Sequence, residues 1–173
     1  MHTTKVMSLI SLLFMALLQP YSAARASDAV AVTLVAEVRN EVELAGRKSA
    51  RLLPATVLEQ GQEVFYTVRI LNPSAAAVRD VVVVQRIPQN TTYVPNSVGG
   101  PGAEITFSAD GGRSFAKEGQ VTITEQTAPS ASPGSAALTR PAMPQDYTHI
   151  RWRLRNSLAP GAVALARFRA VFR

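Results

Sequence analysis

The tightest constraint on this chain is the alternation in its last 27 residues, Tyr147 to Arg173. Ile150, Trp152 and Leu154 alternate with Arg151, Arg153 and Arg155. After the turn-like stretch NSLAPGA, Ala166, Phe168, Ala170 and Phe172 alternate with Arg167, Arg169, Val171 and Arg173. Successive side chains of a strand point to opposite faces, so each segment has one apolar face and one basic face. That is the pattern of antiparallel sheet covering a core on one side only. Read as a hairpin, the two segments bring Arg151, Arg153, Arg155, Arg167 and Arg169 onto a single outer face.

The remaining chain carries the same period. Val30 to Val38 is β-branched and near-continuous, as expected of a strand buried on both faces. Leu52-Leu53-Pro54 and the polar run after it read as a connection. Glu63 to Leu71 alternates cleanly, with Val64, Tyr66, Val68 and Ile70 facing one way, and Asn72-Pro73-Ser74 marks a turn. Val78 to Arg86 is the most β-prone run, ended by Ile87-Pro88 because proline cannot donate to a ladder. Short strands follow at Thr91 to Val94, Glu104 to Phe107, Arg113 to Phe115 and Val121 to Glu125. Residues 126–145 are rich in Ala, Pro and Ser and read as a long exposed loop. Seven to nine short strands at this spacing, with no sustained helical period after residue 26, predict an all-β, immunoglobulin-like β-sandwich in a single copy.

Residues 1–26 read as a cleaved signal peptide. Lys5 gives a positive start, Val6 to Leu18 is an apolar run of 13 residues, and Ala24-Arg25-Ala26 supplies small residues for a cut before Ser27. The run is short of the roughly 20 apolar residues that a spanning helix needs. The mature chain, residues 27–173, keeps 16 of the 18 basic residues and all 12 acids, a net charge near +4. An exported chain with no cysteine must be stabilised by burial rather than disulfides. The expected location is therefore the bacterial envelope, periplasmic or at the surface. There a basic protein meets envelope proteins or anionic polymers rather than nucleic acid.

Few residues carry chemistry. Ser108 to Phe115 (SADGGRSF) fits S-x-D-x-G-x-[ST]-[WF], the Asp-box hairpin of sialidase-like propellers. A propeller needs several copies and this chain has one, so Asp110 and Gly112 are read as turn residues with Phe115 directed inward. Tyr147, just ahead of a late strand, stands where sandwiches place a tyrosine corner, and Trp152 is the natural core aromatic. His149, the one histidine of the mature chain, has no partner with which to assemble a catalytic or zinc site. Glu37, Glu41 and Glu43 cluster near a strand edge, where charges block sheet-to-sheet association. No phosphate loop or nucleotide fingerprint is present, so neither an enzyme nor a cofactor or metal site is expected.

Several segments, in order, resemble the Ig-like conserved repeat of bacterial and archaeal surface proteins, catalogued as domain of unknown function eleven. Gly61 to Val68 (GQEVFYTV) is similar to that family's approach to its second strand, and Leu71-Asn72-Pro73 to its following turn. Val81 to Val84, Ile87-Pro88 and Thr91 to Val94 match its "v-v-v-D-x-l-P-x-g-t-t-y-v" segment. Trp152, Leu158-Ala159-Pro160-Gly161 and Arg167-Phe168 match its "W-x-l-x-x-l-x-P-G" close. This chain has Gln85 or Arg86 where the family often has Asp, a longer loop at 126–145, and one module where the family has tandem copies. The resemblance implies the sandwich fold, an envelope location, and structural roles for Pro160 and Gly161.

Together these features predict a non-enzymatic, exported structural or protein-binding module, engaging partners through an exposed strand edge. The alternative is recognition of an anionic glycan or lipid headgroup by the arginine face, whose guanidinium forks grip carboxylates and phosphates.

Overall fold

The computed structural model describes residues 25–26, 29–44, 47–100, 102–125 and 138–173. The signal-peptide reading falls on residues 1–24, outside this set, apart from Arg25–Ala26. The strands are β1 (Arg25–Ala26), β2 (Ala31–Leu44), β3 (Arg47–Pro54), β4 (Glu63–Leu71), β5 (Val82–Arg86) and β6 (Thr91–Tyr93). They continue with β7 (Ala103–Ser108), β8 (Thr122–Glu125), β9 (Leu138–Pro141), β10 (His149–Leu154) and β11 (Val163–Phe172). A 3₁₀ turn spans Pro144–Asp146.

Two antiparallel sheets form an all-β sandwich, in the orders β1-β5-β10-β7 and β3-β2-β4-β11-β6, with β8-β9 as a separate ribbon. No helix among the described residues is long and apolar enough to cross a membrane. The core lies where β4 and β11 of the larger sheet face β5 and β10 of the smaller. Val64, Tyr66, Val68 and Ile70 meet Val83, Ile150 and Trp152, all buried. Ala164, Ala166 and Ala170 on β11 are small, which leaves room for the aromatics beside them. The Phe168 ring stacks on Tyr66 at 4.8 Å and lies 6.3 Å from Trp152. A second cluster, Tyr93, Phe107 and Tyr147, closes one end with ring centroids 5.0 to 5.8 Å apart.

Four sequence expectations are corrected. The last two strands do not pair: β10 lies between β5 and β7, whereas β11 lies between β4 and β6 in the other sheet. The eight-residue connector, residues 155–162, is long enough to cross the sandwich, and Asn72 holds it there. Asn72 Nδ2 donates to the carbonyls of Leu158 and Ala159, and Gly161 N–H donates to the Asn72 carbonyl. The run Val30 to Val38 is covered on one face only, with Val32, Leu34, Ala36 and Val38 against the core and Val35 exposed. Leu52 to Pro54 is not a connection but the end of β3, which pairs with β2 from Arg47 to Pro54. The stretch 126–145 contains β9, paired with β8, and the 3₁₀ turn; its residues 126–137 fall outside the described set.

Candidate functional site: two basic sheet faces and an open edge

The crossing of β10 and β11 divides the arginines between opposite faces of the molecule. Arg151 and Arg153 project from the smaller sheet, and Arg167 and Arg169 from the larger. The single basic surface expected from the sequence is therefore two.

On the smaller sheet Arg151 is committed structurally. Its Nε–H donates to Thr106 Oγ1 at 3.0 Å, and its guanidinium sits 4.3 Å over the centroid of Phe115. Phe115 thus does not turn inward; it is half-buried on the outer face beneath an arginine. Arg153 lies opposite Glu104 across the β10–β7 pair and is exposed. Arg155, past the strand end, borders an open hollow of about 330 Å³ with Arg79, Asp80, Asn156 and Ser157.

The turn that delivers Phe115 is built on Asp110. Its carboxylate accepts from the backbone N–H groups of Arg113 and Ser114 and from the hydroxyls of Ser108 and Ser114, the last two at 2.6 Å. The Ser108 and Ser114 hydroxyls and these N–H groups favour the charged form and hold the Asp110 carboxyl well below the usual carboxylate range. Gly112 takes φ +87°, which a side chain rarely adopts, and a Cβ there would contact the His149 ring at 3.6 Å. The His149 Nδ1 lies 3.1 Å from Thr148 Oγ1.

Tyr147 is buried, and its hydroxyl accepts from the Gly119 N–H at 3.1 Å, so it ties the late strand to a backbone 28 residues upstream. Its neighbour Tyr93 donates its hydroxyl to the Glu118 carboxylate at 3.3 Å. Burial, followed by the nearby Glu118 carboxylate, pushes its hydroxyl far above the usual tyrosine range. Trp152 is fully buried, and its Nε1–H donates to the Gly99 carbonyl at 3.2 Å. Pro160 is exposed in the crossing connector, and Gly161 follows it with φ +68°.

On the larger sheet the outward residues of β2, β4 and β11 form three rows: Thr33, Arg69 and Leu165; Val35, Thr67 and Arg167; Glu37, Phe65 and Arg169. Arg169 bonds Glu63 at 2.9 Å. Arg39 lies 5.3 Å over the Phe65 ring. A shallow depression of about 210 Å³ opens between these rows, lined in part by Glu37, Leu52, Phe65, Thr67, Ser97 and Arg167. Sequence reasoning missed Arg39, Arg69 and Phe65. The available signal was the clean alternation of Glu63 to Leu71, whose outward positions are Phe65, Thr67 and Arg69.

The other notable surface is an edge. β2 pairs with β4 only from Ala31 to Val38, so from Arg39 onward it pairs with β3 alone. Among the described residues β3 has no partner on its far side, and residues 49–54 are exposed. Ala55 N–H donates to the Ala36 carbonyl, so by the antiparallel alternation the N–H and C=O groups of Ala50 and Leu52 point away from β2.

No group of three or more His, Asp or Glu side chains that could hold a metal ion is found among the described residues. No protein-family model matches this chain, and no curated protein matches it significantly.

Proposed function

We propose that this chain is an exported, non-enzymatic Ig-like module of the bacterial envelope that binds another protein by strand addition at β3. The observation that carries this reading is the eight-residue edge of β3, unpaired among the described residues and continuous with a ribbon that runs past β4. A two-stranded ribbon is only marginally stable in water, and an added strand converts it to a three-stranded sheet. The main-chain groups of Ala50 and Leu52 supply hydrogen bonds to any extended partner, and alternate side chains supply selectivity. Arg51 is exposed on β3, and the strand holds no acid, which guards a lone edge against its own kind and favours an acidic partner.

The test is site-specific photo-crosslinking in intact cells from position 50 or 52, beside Ala50→Pro, which removes an outward donor. A discrete cross-linked protein that disappears in the proline variant, with the fold intact, supports strand addition. Absence of any specific cross-link from either position overturns it.

A further inference from the structure

We propose that the outer face of the five-stranded sheet is a binding site for an acidic glycan, with Arg167 as the carboxylate-gripping residue. This goes beyond strand addition at β3 and does not depend on it.

The charge on this face is unevenly used. Strands β2, β4 and β11 carry four arginines, Arg39, Arg69, Arg167 and Arg169, against four acids, of which Glu37 and Glu63 stand where the three strands lie side by side and Glu41 and Glu43 on the part of β2 that runs past β4. Glu63 is taken by Arg169 at 2.9 Å, and Arg39 covers Phe65. Arg69 and Arg167 are exposed and make no ion pair among the described residues. They stand on neighbouring strands, diagonal to each other, because Arg167 pairs with Thr67 and Arg69 with Leu165. Diagonal neighbours lie about 7–8 Å apart, within reach of one extended ligand.

The depression beside Arg167 defines the ligand class. Phe65 gives it an apolar wall, Thr67 and Ser97 bring hydroxyl side chains, and Glu37 brings a carboxylate. A ligand that is only an anion meets repulsion from Glu37. A ligand that is only a polyol has no use for an unpaired guanidinium. A sugar acid satisfies both: its carboxylate takes the planar fork of Arg167, its hydroxyls donate to Glu37, and its apolar ring face lies against Phe65. Openness to solvent suits a polymer lying across the sheet, with Arg69 meeting the next acidic residue.

The test is titration of the full chain with oligosaccharides of galacturonate, glucuronate and alginate. Neutral oligosaccharides of the same length, an oligo-glutamate peptide and inorganic phosphate serve as comparators. Wild type should bind at least one uronate oligomer better than all three comparators, with affinity falling as salt rises. Arg167→Ser should weaken that binding by about tenfold or more, the loss of a charge-assisted pair. Arg153→Ser, on the opposite sheet, should leave it unchanged, and thermal unfolding should show both variants folded. Binding of no uronate oligomer, equal loss in both variants, or tighter binding of oligo-glutamate or phosphate would each overturn the proposal. Photo-crosslinking at β3 reads separately, so either proposal can fail without the other.

Discussion

Arg151 lies 4.3 Å over Phe115, and the same guanidinium donates to Thr106 on the neighbouring strand. One arginine of an alternating basic run is therefore a fastener for the Asp110 turn, whereas Arg153, two residues on, has no such role. Arg151→Ser should cost about 1–2 kcal/mol, combining a cation–π contact with a hydrogen bond. Arg153→Ser should change stability by less than about 0.5 kcal/mol. Urea unfolding of the two variants measures the contrast, and equal effects would contradict the assigned roles.

Trp152 is the only tryptophan, and a Cβ at Gly100 would come within 3.0 Å of its ring. Gly100→Ala should force the indole or the Gly100 loop to shift, at a cost of about 1–3 kcal/mol. The weakened Nε1 bond to Gly99 gives a second readout, a change in the native tryptophan emission before any unfolding.

The Asp110 carboxyl is depressed by the Ser108 and Ser114 hydroxyls and the turn N–H groups. A depressed folded value means that the unfolded chain binds the proton first. The associated stability is fully present above the ordinary carboxylate range and is lost as pH falls through and below about 4. Asp110→Asn should therefore flatten the acid limb of the stability profile while lowering stability at neutral pH. Thermal midpoints of both proteins between neutral and strongly acidic pH check the sign.

Asn72 is fully buried, with Nδ2 aimed at the carbonyls of Ala76, Leu158 and Ala159 and Oδ1 accepting from Ser74. Asn72→Asp replaces the donor with an oxygen facing three carbonyls. Destabilisation should be about 3 kcal/mol or more, since a buried charge loses its partners. The sign opposes that at Asp110: a carboxyl raised by burial is tolerated best when protonated, so the variant should lose stability as pH rises. A variant whose midpoint instead improves with pH would refute the inward placement.

Much of this fold was legible from period-2 alternation, because an inward row such as Val64, Tyr66, Val68 and Ile70 is dictated by burial alone. The turn at Asp110 was legible for a similar reason: its hydrogen bonds are local. The pairing of strands was not. Whether β11 returns beside β10 or crosses to the opposite sheet depends on how Asn72, 86 residues before Leu158, grips the connector. Local alternation contains no such information, and with it went the idea of a single arginine face. The open β3 edge was hidden differently. Residues 49–54 are exposed on both faces, Leu52 and Leu53 among them, so the strand character of β3 comes from pairing with β2 rather than from burial of its own side chains.

The register of the larger sheet sets how the module carries load. β2 and β11 flank β4 and run in the same direction, with Ala31 level with Val163 and Val38 level with Ala170. Tension applied at Ala31 and taken up at Phe172 therefore acts on opposite ends of the sheet, along the strands and across both ladders. Antiparallel hydrogen bonds lie perpendicular to that direction, so they must shear together rather than unzip in sequence. A sheet strained in this direction resists sudden extension better than one whose hydrogen bonds are peeled apart one at a time.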